Sequence, residues 1–501
     1  MPPLNRGSPL NFADYLFERR GNTEDIFIAG THEEVRHDQL FQKVNALAEQ
    51  LYSQFGKNNE ILLVLDNNLF FIVSYRAIIK SGNHALVIEP RISDHDLDDI
   101  LQRCDISCAL VQKKYASRFC DWDTAMDETV LDLPVSGDTF CGVETDEDET
   151  AVILFTSGSA GTKKGVMLSH KNLRVNTESI IQYLGLTEKD RIYALLPFYF
   201  TFGTSLLHTH LRVGGSLVMG NSIFPGAIVN EIDEYRCTGF AGVPSTYQIL
   251  ANKTSFLTRE FPHLRYFQQA GGQLVNKYLQ IIGTAFPEKQ FFVMYGLTEA
   301  TARCSYLPPD FFWQQLGSIG RGIPGVHLEV VDEQGRPVGC GEVGEIVVRG
   351  DNIMRGYYKD PEGTGQAIRN GRLYTGDLAT VDEDGFIYFL ERKSSIIKSG
   401  GFRISPNEIE AVINGVDGVL ACAVIGVADE LLGESVAAIV RTDTKTPPEN
   451  LRNTILSACM AVFPSHKVPR TLEFVEEFPL NSSLKFDLIK LRRMIEEKQS
   501  R

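Results

Sequence analysis

Short runs rich in Val, Ile and Leu alternate with helical stretches through the N-terminal half of the chain. Residues 60–66 (EILLVLD) read as a strand, 68–81 as a helix and 84–88 as a second strand. Residues 94–103 read as a helix and 107–112 as another strand. Further strands are predicted at 151–155, 191–196, 216–218 and 291–294. Strands separated by helices pair through crossovers, so this alternation implies βαβ units and a parallel sheet. Between 326 and 349 the texture changes. HLEVVDEQGRPV and EIVVRG are short strands about a D-E-Q-G turn, and GFIYFL (385–390) follows a D-E-D-G turn. That pattern predicts a β-rich subdomain. Past it, a polar stretch with a glycine pair (ERKSSIIKSGGF) marks a domain boundary. Helices at 407–416 and 451–462, strands at 419–427, 434–441 and 471–475, and a charged terminal helix then form an α+β unit. The expected fold class is α/β. A large N-terminal domain (1–393) of βαβ-type sheets carries the β-rich subdomain, and a small α+β domain (394–501) follows.

Composition narrows the function. The chain has 501 residues, 43% apolar and 23% charged, values typical of a chain that buries a sizeable core. With 49 basic and 64 acidic residues the net charge is −15. That balance argues against a nucleic-acid partner, which needs a basic footprint. It leaves room for a small anion, because a few backbone N–H groups and one or two lysines bind phosphate locally. Nine cysteines without a C-x-x-C predict reduced thiols and a cytoplasmic protein. The N-terminal residues contain no apolar stretch of the signal-peptide kind. Residues 192–211 lack Lys, Arg, Asp and Glu over 20 positions, the length of a bilayer helix. Pro197, Gly203, His208 and His210 interrupt that run and favour buried strand–turn–helix structure, so no membrane span is expected.

The most informative segment is AVILFTSGSAGTKKGVMLSH (151–170). A buried strand is expected to enter a loop of Thr, Ser and Gly with two lysines, then a helix capped near Ser169. Small residues with free N–H groups, hydroxyls and nearby lysines suit a polyphosphate better than a plain surface loop. The segment is not a Walker A loop, because Lys163 stands five residues after Gly158 where that motif needs Gly. A second pattern, Gly320-Arg-Gly322-Ile-Pro-Gly325, matches G-x-G-x-x-G. A strand-like sequence follows it and Pro324 lies inside it, so a dinucleotide site is rejected.

TSGSAGTKKG resembles the phosphate loop of the adenylate-forming superfamily: acyl-CoA synthetases, nonribosomal-peptide adenylation domains and firefly luciferase. Four more motifs follow in that family's order and rough spacing. They are YGLTEA (295–300), YTGD (374–377), ERKSSIIKSGGFRISPNEIE (391–410) and NSSLKFD (481–487). The resemblance spans nearly the whole chain. It implies that a carboxylate attacks the α-phosphorus of ATP, giving an acyl-adenylate and pyrophosphate. Thr156, Ser157, Gly158, Ser159, Gly161 and Thr162 would then cradle the β- and γ-phosphates, with Lys164 as counter-charge. Lys163 takes the place of a usual proline. Tyr295 and Gly296 would belong to the nucleotide site, with Thr298 at the α-phosphate and Glu299 on Mg²⁺. Asp377 would accept the ribose hydroxyls, supported by Arg392, and adenine would lie along Gly271, Gly272 and Gln273. Alone, Glu299 reads as a loop glutamate, Asp377 as a turn residue and Lys485 as a solvated lysine. Within these motifs each reading reverses. Lys485 becomes the catalytic lysine bridging carboxylate and α-phosphate, although Leu484 replaces the family's glycine. The small domain would be mobile, turning about a hinge at Ser394 between adenylation and acyl transfer. Lys398 would line the acceptor channel after that turn.

The same resemblance places LPFYFTFGTS beside the acid. Phe198, Tyr199, Phe200 and Phe202, with Val243 and Ala270, would bound its pocket. Amino-acid-activating relatives carry an Asp in this stretch, and this chain has no carboxylate there. An amine-free, largely apolar acid, aliphatic or aryl, is therefore expected. Coenzyme A is the first choice of acceptor. An amine (an amide ligase) or a stand-alone carrier protein is the alternative. A non-catalytic nucleotide-binding regulator is disfavoured, because it would not need Lys164, Glu299, Asp377, Arg392 and Lys485 together.

Overall fold

The structure is a computed structural model that describes residues 11–18, 24–30, 34–119, 122–134, 140–157, 163–220, 224–442, 448–481 and 485–499. Among the described residues, one sheet runs in the order Gly356–Tyr357, Lys163–Ser169, Thr150–Ser157, His84–Val87, Glu60–Val64, Ile106–Val111 and Ala125–Met126. From Thr150–Ser157 to Ala125–Met126 its strands are parallel. A second sheet has a parallel centre ordered Gln290–Tyr295, Tyr266–Gln269, Gly239–Gly242, Arg191–Tyr193, Ser216–Met219 and Ile26–Gly30. Antiparallel strands flank it on both sides. Both sheets are buried on both faces. Leu63 faces a core cluster that also holds Leu217, Ala241 and Ile346, whereas its neighbour Leu62 faces a separate cluster with Leu86 and Ala109. Alternate residues of one strand thus serve two layers, which is why these runs are apolar throughout.

The β-rich subdomain is an antiparallel sheet of Val326–Val331, Gly344–Gly350, Arg372–Val381 and Ile368–Arg369, with Ile387–Arg392 also paired to Arg372–Val381. The strand at the end of this region starts two residues later than the predicted 385–390. The Gly320–Gly325 pattern leads into the strand Val326–Val331 and not into a helix. A turn at Lys393–Ser395 then leads to the small domain. There, Gly433–Thr442 pairs with Val419–Asp429, Ile397–Ser399 and Thr471–Val475. Val424 and Val440 face Ile409 and Ile455 from helices Pro406–Asn414 and Pro448–Val462. Ile425 and Ile439 face Leu491 and Ile495 of Leu488–Gln499 on the other side.

Two features depart from the sequence reading. After the strand Thr150–Ser157 the chain returns antiparallel as a second strand. Lys163–Ser169 runs back along Thr150–Ser157, pairing Thr156 with Lys164 and Ser157 with Lys163. Both lysines therefore stand on a strand and not in a loop. The lysines masked a strand whose apolar part, Gly165 to Leu168, is only four residues long. Strands Gly239–Gly242 and Tyr266–Gln269 were also not predicted. They are four residues each, and Gly239, Gly242, Gln268 and Gln269 break the β-branched signal, although all eight positions are buried. The helix after Lys163–Ser169 begins as expected. Ser169 Oγ accepts from Asn172 N (3.1 Å) and Asn172 Oδ1 from Ser169 N (2.9 Å), a reciprocal cap.

The charge-free run resolves into the strand Arg191–Tyr193, a turn and the helix Thr201–Val213. No helix among the described residues is long and apolar enough to cross a membrane. Gly203 lets this turn close, because a Cβ there would lie 2.1 Å from the Pro197 carbonyl oxygen. A Gly203→Ala variant is expected to lose about 1–3 kcal/mol to overpacking, read as a lower urea midpoint with an unchanged slope.

Candidate active site

Three segments meet at Asp377, which is 1% exposed. Tyr295 ends a central strand and donates its hydroxyl to Asp377 Oδ2 at 2.6 Å. Arg392 stands opposite Asp377 on the paired strand and places Nε 3.0 Å from Oδ1. Thr375 Oγ1 accepts from the Asp377 backbone N–H at 3.1 Å. Burial raises the Asp377 carboxyl above its ordinary range, opposed by Arg392 and by the Tyr295 hydroxyl. The Tyr295 hydroxyl is itself pushed well up by burial and by Asp377. A carboxylate held at the end of such a pair is suited to accept hydroxyl donors from a ligand.

Lys485 reaches this place from the small domain. Asn481 bonds it twice: Lys485 N donates to Asn481 Oδ1 (3.0 Å) and Asn481 N to the Lys485 carbonyl (2.8 Å). The next residue, Phe486, stacks on Phe478 with ring centroids 4.2 Å apart. The lysine passes over Gly271. A Cβ built at that glycine would lie 3.4 Å from Lys485 Cε and 3.8 Å from Nζ. Gly271 has φ +86°, a conformation that disfavours any side chain. Desolvation in this crowded cleft, and then the Arg392 guanidinium, pull the Lys485 ammonium down to about 8, with Asp377 opposing. Water still reaches the side chain, which is exposed by surface area. Gln269 Nε2 donates to the Gly272 carbonyl (2.8 Å), shaping the segment, while Gly272 and Gln273 are exposed.

The phosphate end is built from the strands Thr150–Ser157 and Lys163–Ser169 and the YGLTEA turn. Gly158, Ser159, Gly161 and Thr162 lie outside the described residues, as does the Ser157 side chain. Lys164 pairs with Asp360 (3.3 Å) and lies 4.6 Å from the Tyr357 ring centroid. Tyr357 donates its hydroxyl to Glu299 Oε1 at 3.0 Å. Lys164 and Glu299 are thus held on either side of one tyrosine. Neither Tyr357 nor Asp360 was singled out from sequence. The GYYKDP segment carrying them has no charge pattern of its own, and only the strand pair Gly356–Tyr357 with Lys163–Ser169 brings it in. Gly296 allows the motif to fold tightly, since a Cβ would lie 2.0 Å from the Ala302 carbonyl oxygen. Thr298 is half-buried in the short turn Thr298–Ala300. The next residue, Thr301, has φ +72°, unusual for a β-branched residue. Its hydroxyl bond to the Asn352 carbonyl (2.7 Å) holds it there.

The aromatic stretch divides. Phe198 packs into the core beside Phe71 (centroids 5.4 Å apart), and Tyr199 stacks at a tilt on Phe200 (4.8 Å). Phe202 contacts the guanidinium of Arg303, a buried residue absent from the sequence-based candidates. Val243 and Ala270 are buried, with Val243 Cγ1 3.1 Å from the Cβ position of Gly271. They border the segment over which Lys485 passes.

Ser394 lies exposed in the turn Lys393–Ser395. Lys393 beside it pairs with Glu345 at 2.7 Å. Lys398 faces a different space from Lys485, a cleft of about 650 Å³ that is also lined by Glu345, Leu378, Lys393 and Arg403. The small domain rests on the large one through Tyr278 Oη donating to the Leu420 carbonyl (2.9 Å) and an ion pair between Lys253 and Glu477.

A strand-bound lysine pair, the glutamate of YGLTEA, a buried aspartate beside an arginine, and a lysine brought over from a second domain define an adenylate-forming enzyme. The sequence profile described as AMP-binding enzyme matches residues 17–358, and the profile of the AMP-binding enzyme C-terminal domain matches 408–485. The chain belongs to the AMP-binding enzyme family and is an AMP-forming ligase of the acyl-CoA synthetase type. It is 33% identical over 380 residues to a feruloyl-CoA synthase of Amycolatopsis sp, covering 74% of this chain and 72% of the relative. The fold matches ATP-bound MatB from Rhodopseudomonas palustris with a TM-score of 0.86 at 26% identity, covering 97% of this chain and 98% of that one. It also matches the amide bond synthetase McbA from Marinactinospora thermotolerans with a TM-score of 0.86 at 25% identity, covering 97% and 99%.

The lowered Lys485 ammonium sets a pH dependence. In the catalytic role that the motif implies for Lys485, the working form is the ammonium, which is lost as pH rises through its pKa. In the free enzyme kcat/KM for adenylation is therefore expected to fall as pH passes about 8. Lys485→Arg keeps its charge at that pH and is expected to lose this alkaline limb at reduced overall activity. An unshifted limb in that variant would assign it to another group.

Proposed function

We propose that the protein joins an amine-free carboxylic acid to coenzyme A in two half-reactions. In the first, a carboxylate oxygen attacks the α-phosphorus of ATP, the bond to the bridging oxygen breaks, and pyrophosphate leaves. Lys485 sits between the two anions and offsets their repulsion. Asp377, oriented by Arg392 and Tyr295, takes the ribose hydroxyls, and Lys164 takes phosphate charge once it leaves Asp360. The observation that carries this reading is Lys485 lying over Gly271 beside the Asp377–Arg392 pair.

The Mg²⁺ reading rests on Glu299. Among the described residues no cluster of three His, Cys, Asp or Glu side chains is arranged for a metal. A lone carboxylate with one oxygen tied to Tyr357 fits an ion that takes most of its ligands from phosphates and water. When bound, Mg²⁺ would supply charge neutralisation on the phosphates. Glu299 would hold it, and Tyr357 would fix the orientation of that carboxylate.

In the second half-reaction the thiol of coenzyme A attacks the acyl carbon, AMP leaves with the bonding pair, and the thiol proton passes to solvent. The feruloyl-CoA synthase relative supports this acceptor. We place the domain boundary at residues 393–394, with Ser394 as the hinge and Lys398 brought inward by the turn. The McbA likeness supports a second reading, in which an amine takes the thiol's place.

The test is acid-dependent ATP–pyrophosphate exchange over fatty, aryl and amino acids, followed by thiol and amine acceptors with the active acid. Lys485→Ala is expected to lower exchange by roughly 100- to 1,000-fold while ATP binding, measured by titration, survives, as for loss of a transition-state contact. Unchanged exchange in this variant would remove Lys485 from the chemistry.

A further inference from the structure

Glu345 lies in the strand Gly344–Gly350, and the sequence GEIVVRG marks it only as a strand residue. Its side chain is 11% exposed. Both of its oxygens are taken: Oε1 accepts from the Gly376 backbone N–H at 2.8 Å, and Oε2 pairs with Lys393 Nζ at 2.7 Å. Gly376 immediately precedes Asp377, and Lys393 immediately follows Arg392. One carboxylate therefore grips the chain on both flanks of the Asp377–Arg392 pair.

The strand register explains why a grip is needed there. Glu345 lies opposite Leu378 and Val347 opposite Tyr374, so Ile346 alone faces residues 375–377. The longer strand bulges at this point, and a bulge re-aims the side chains it carries. Bulged residues lose partners in the ladder and must find others. Thr375 Oγ1 donates to the Ile346 carbonyl at 2.8 Å and accepts from Asp377 N at 3.1 Å. Gly376 has φ +73°, and a Cβ there would meet no atom within 4 Å. The glycine serves conformation and not space. Its N–H is held by the Glu345 side chain. That choice of partner has a cost. Burial raises the Asp377 carboxyl most, and Glu345 raises it further, because a second negative charge nearby disfavours ionisation. A neutral acceptor would hold Gly376 without that penalty. Only a carboxylate can also take the Lys393 ammonium and so stay fixed in place.

We propose that Glu345 is a positioning residue for ATP: it holds the 375–377 bulge so that Asp377 presents its carboxylate to the ribose hydroxyls, and Lys393 in turn holds Glu345. The inference rests on the reading of Asp377 as the ribose site and deepens it. Glu345 acts through Gly376 and touches no reacting atom.

The experiment compares acid-dependent pyrophosphate exchange with ATP and with its 2′,3′-dideoxy analogue, which lacks both ribose hydroxyls. The wild-type enzyme is expected to prefer ATP in kcat/KM by roughly 10- to 100-fold, the worth of one hydrogen bond to a charged group. Glu345→Ala is expected to lose most of that preference by raising the KM of ATP, with kcat/KM for the analogue unchanged. Glu345→Gln keeps an acceptor for the Gly376 N–H and is expected to retain most of it. A role in stability alone would lower both nucleotides equally and leave their ratio intact. An unchanged ratio in Glu345→Ala would overturn the proposal and leave the ribose reading standing. Equal use of both nucleotides by the wild type would overturn the ribose reading and this proposal with it. Should Glu345→Ala fail to fold, Lys393→Met decides in its place. It frees the second oxygen of Glu345 and is expected to narrow the preference several-fold, and an unchanged ratio there would overturn the proposal.

Discussion

A buried carboxylate organises the large domain around the site. Taking one out of water costs several kcal/mol unless it is paired and hydrogen-bonded. Asp377 is offset by one hydroxyl and one guanidinium, and these come from different layers. Tyr295 ends a strand of the large parallel sheet, Asp377 lies in the β-rich sheet, and Arg392 closes the last strand before the turn into the small domain. One charge therefore ties three parts of the molecule together at the site. The same Arg392 bears on Lys485, so the group that compensates Asp377 also favours the uncharged form of the lysine. Bound phosphate would reverse that bias, since it adds negative charge beside the ammonium.

The phosphate end is poised in a complementary way. Lys164 rests on Asp360 and against the Tyr357 ring, with Glu299 held by the same tyrosine. Both partners of the Lys164–Asp360 pair are about one-third exposed, and such pairs contribute about 0–1 kcal/mol. Exchanging Asp360 for a phosphate is therefore inexpensive. On the proposed role of Lys164, these contacts restrain the lysine beforehand, so that less side-chain entropy is lost on binding.

How much of this was legible depended on the length of each signal. Strands Glu60–Val64 and Ile106–Val111 are buried on both faces, and their unbroken apolar runs announced them. Gly239–Gly242 and Tyr266–Gln269 are as deeply buried but only four residues long, with glycine and glutamine among them. They were invisible, although they carry the loops beneath Lys485. The motif residues were legible because their types and order are specific: Asp377, Arg392, Tyr295 and Lys485 do converge. What could not be read was who holds them. Tyr357 meets Glu299 only through a pairing 58 residues apart in sequence. Arg303 looks like a surface arginine in ATARCSYL, and only its burial against Phe202 shows otherwise.

The small domain carries two lysines on separate elements. Lys485, bonded to Asn481, and Lys398, on the strand Ile397–Ser399, face different spaces. The two elements belong to opposite faces of one small-domain sheet. The residues proposed to bound the acid, Phe198, Tyr199, Phe200 and Phe202, belong to the large domain. On the proposed turn about Ser394, the choice of acid is thus separated in space from the choice of acceptor. In the proposed reaction the acid is bound by large-domain groups, and its acyl-adenylate is then offered to the nucleophile that the second face of the small domain admits. On this reading, a change of acceptor calls for changes on the small domain and its facing cleft, outside the acid pocket.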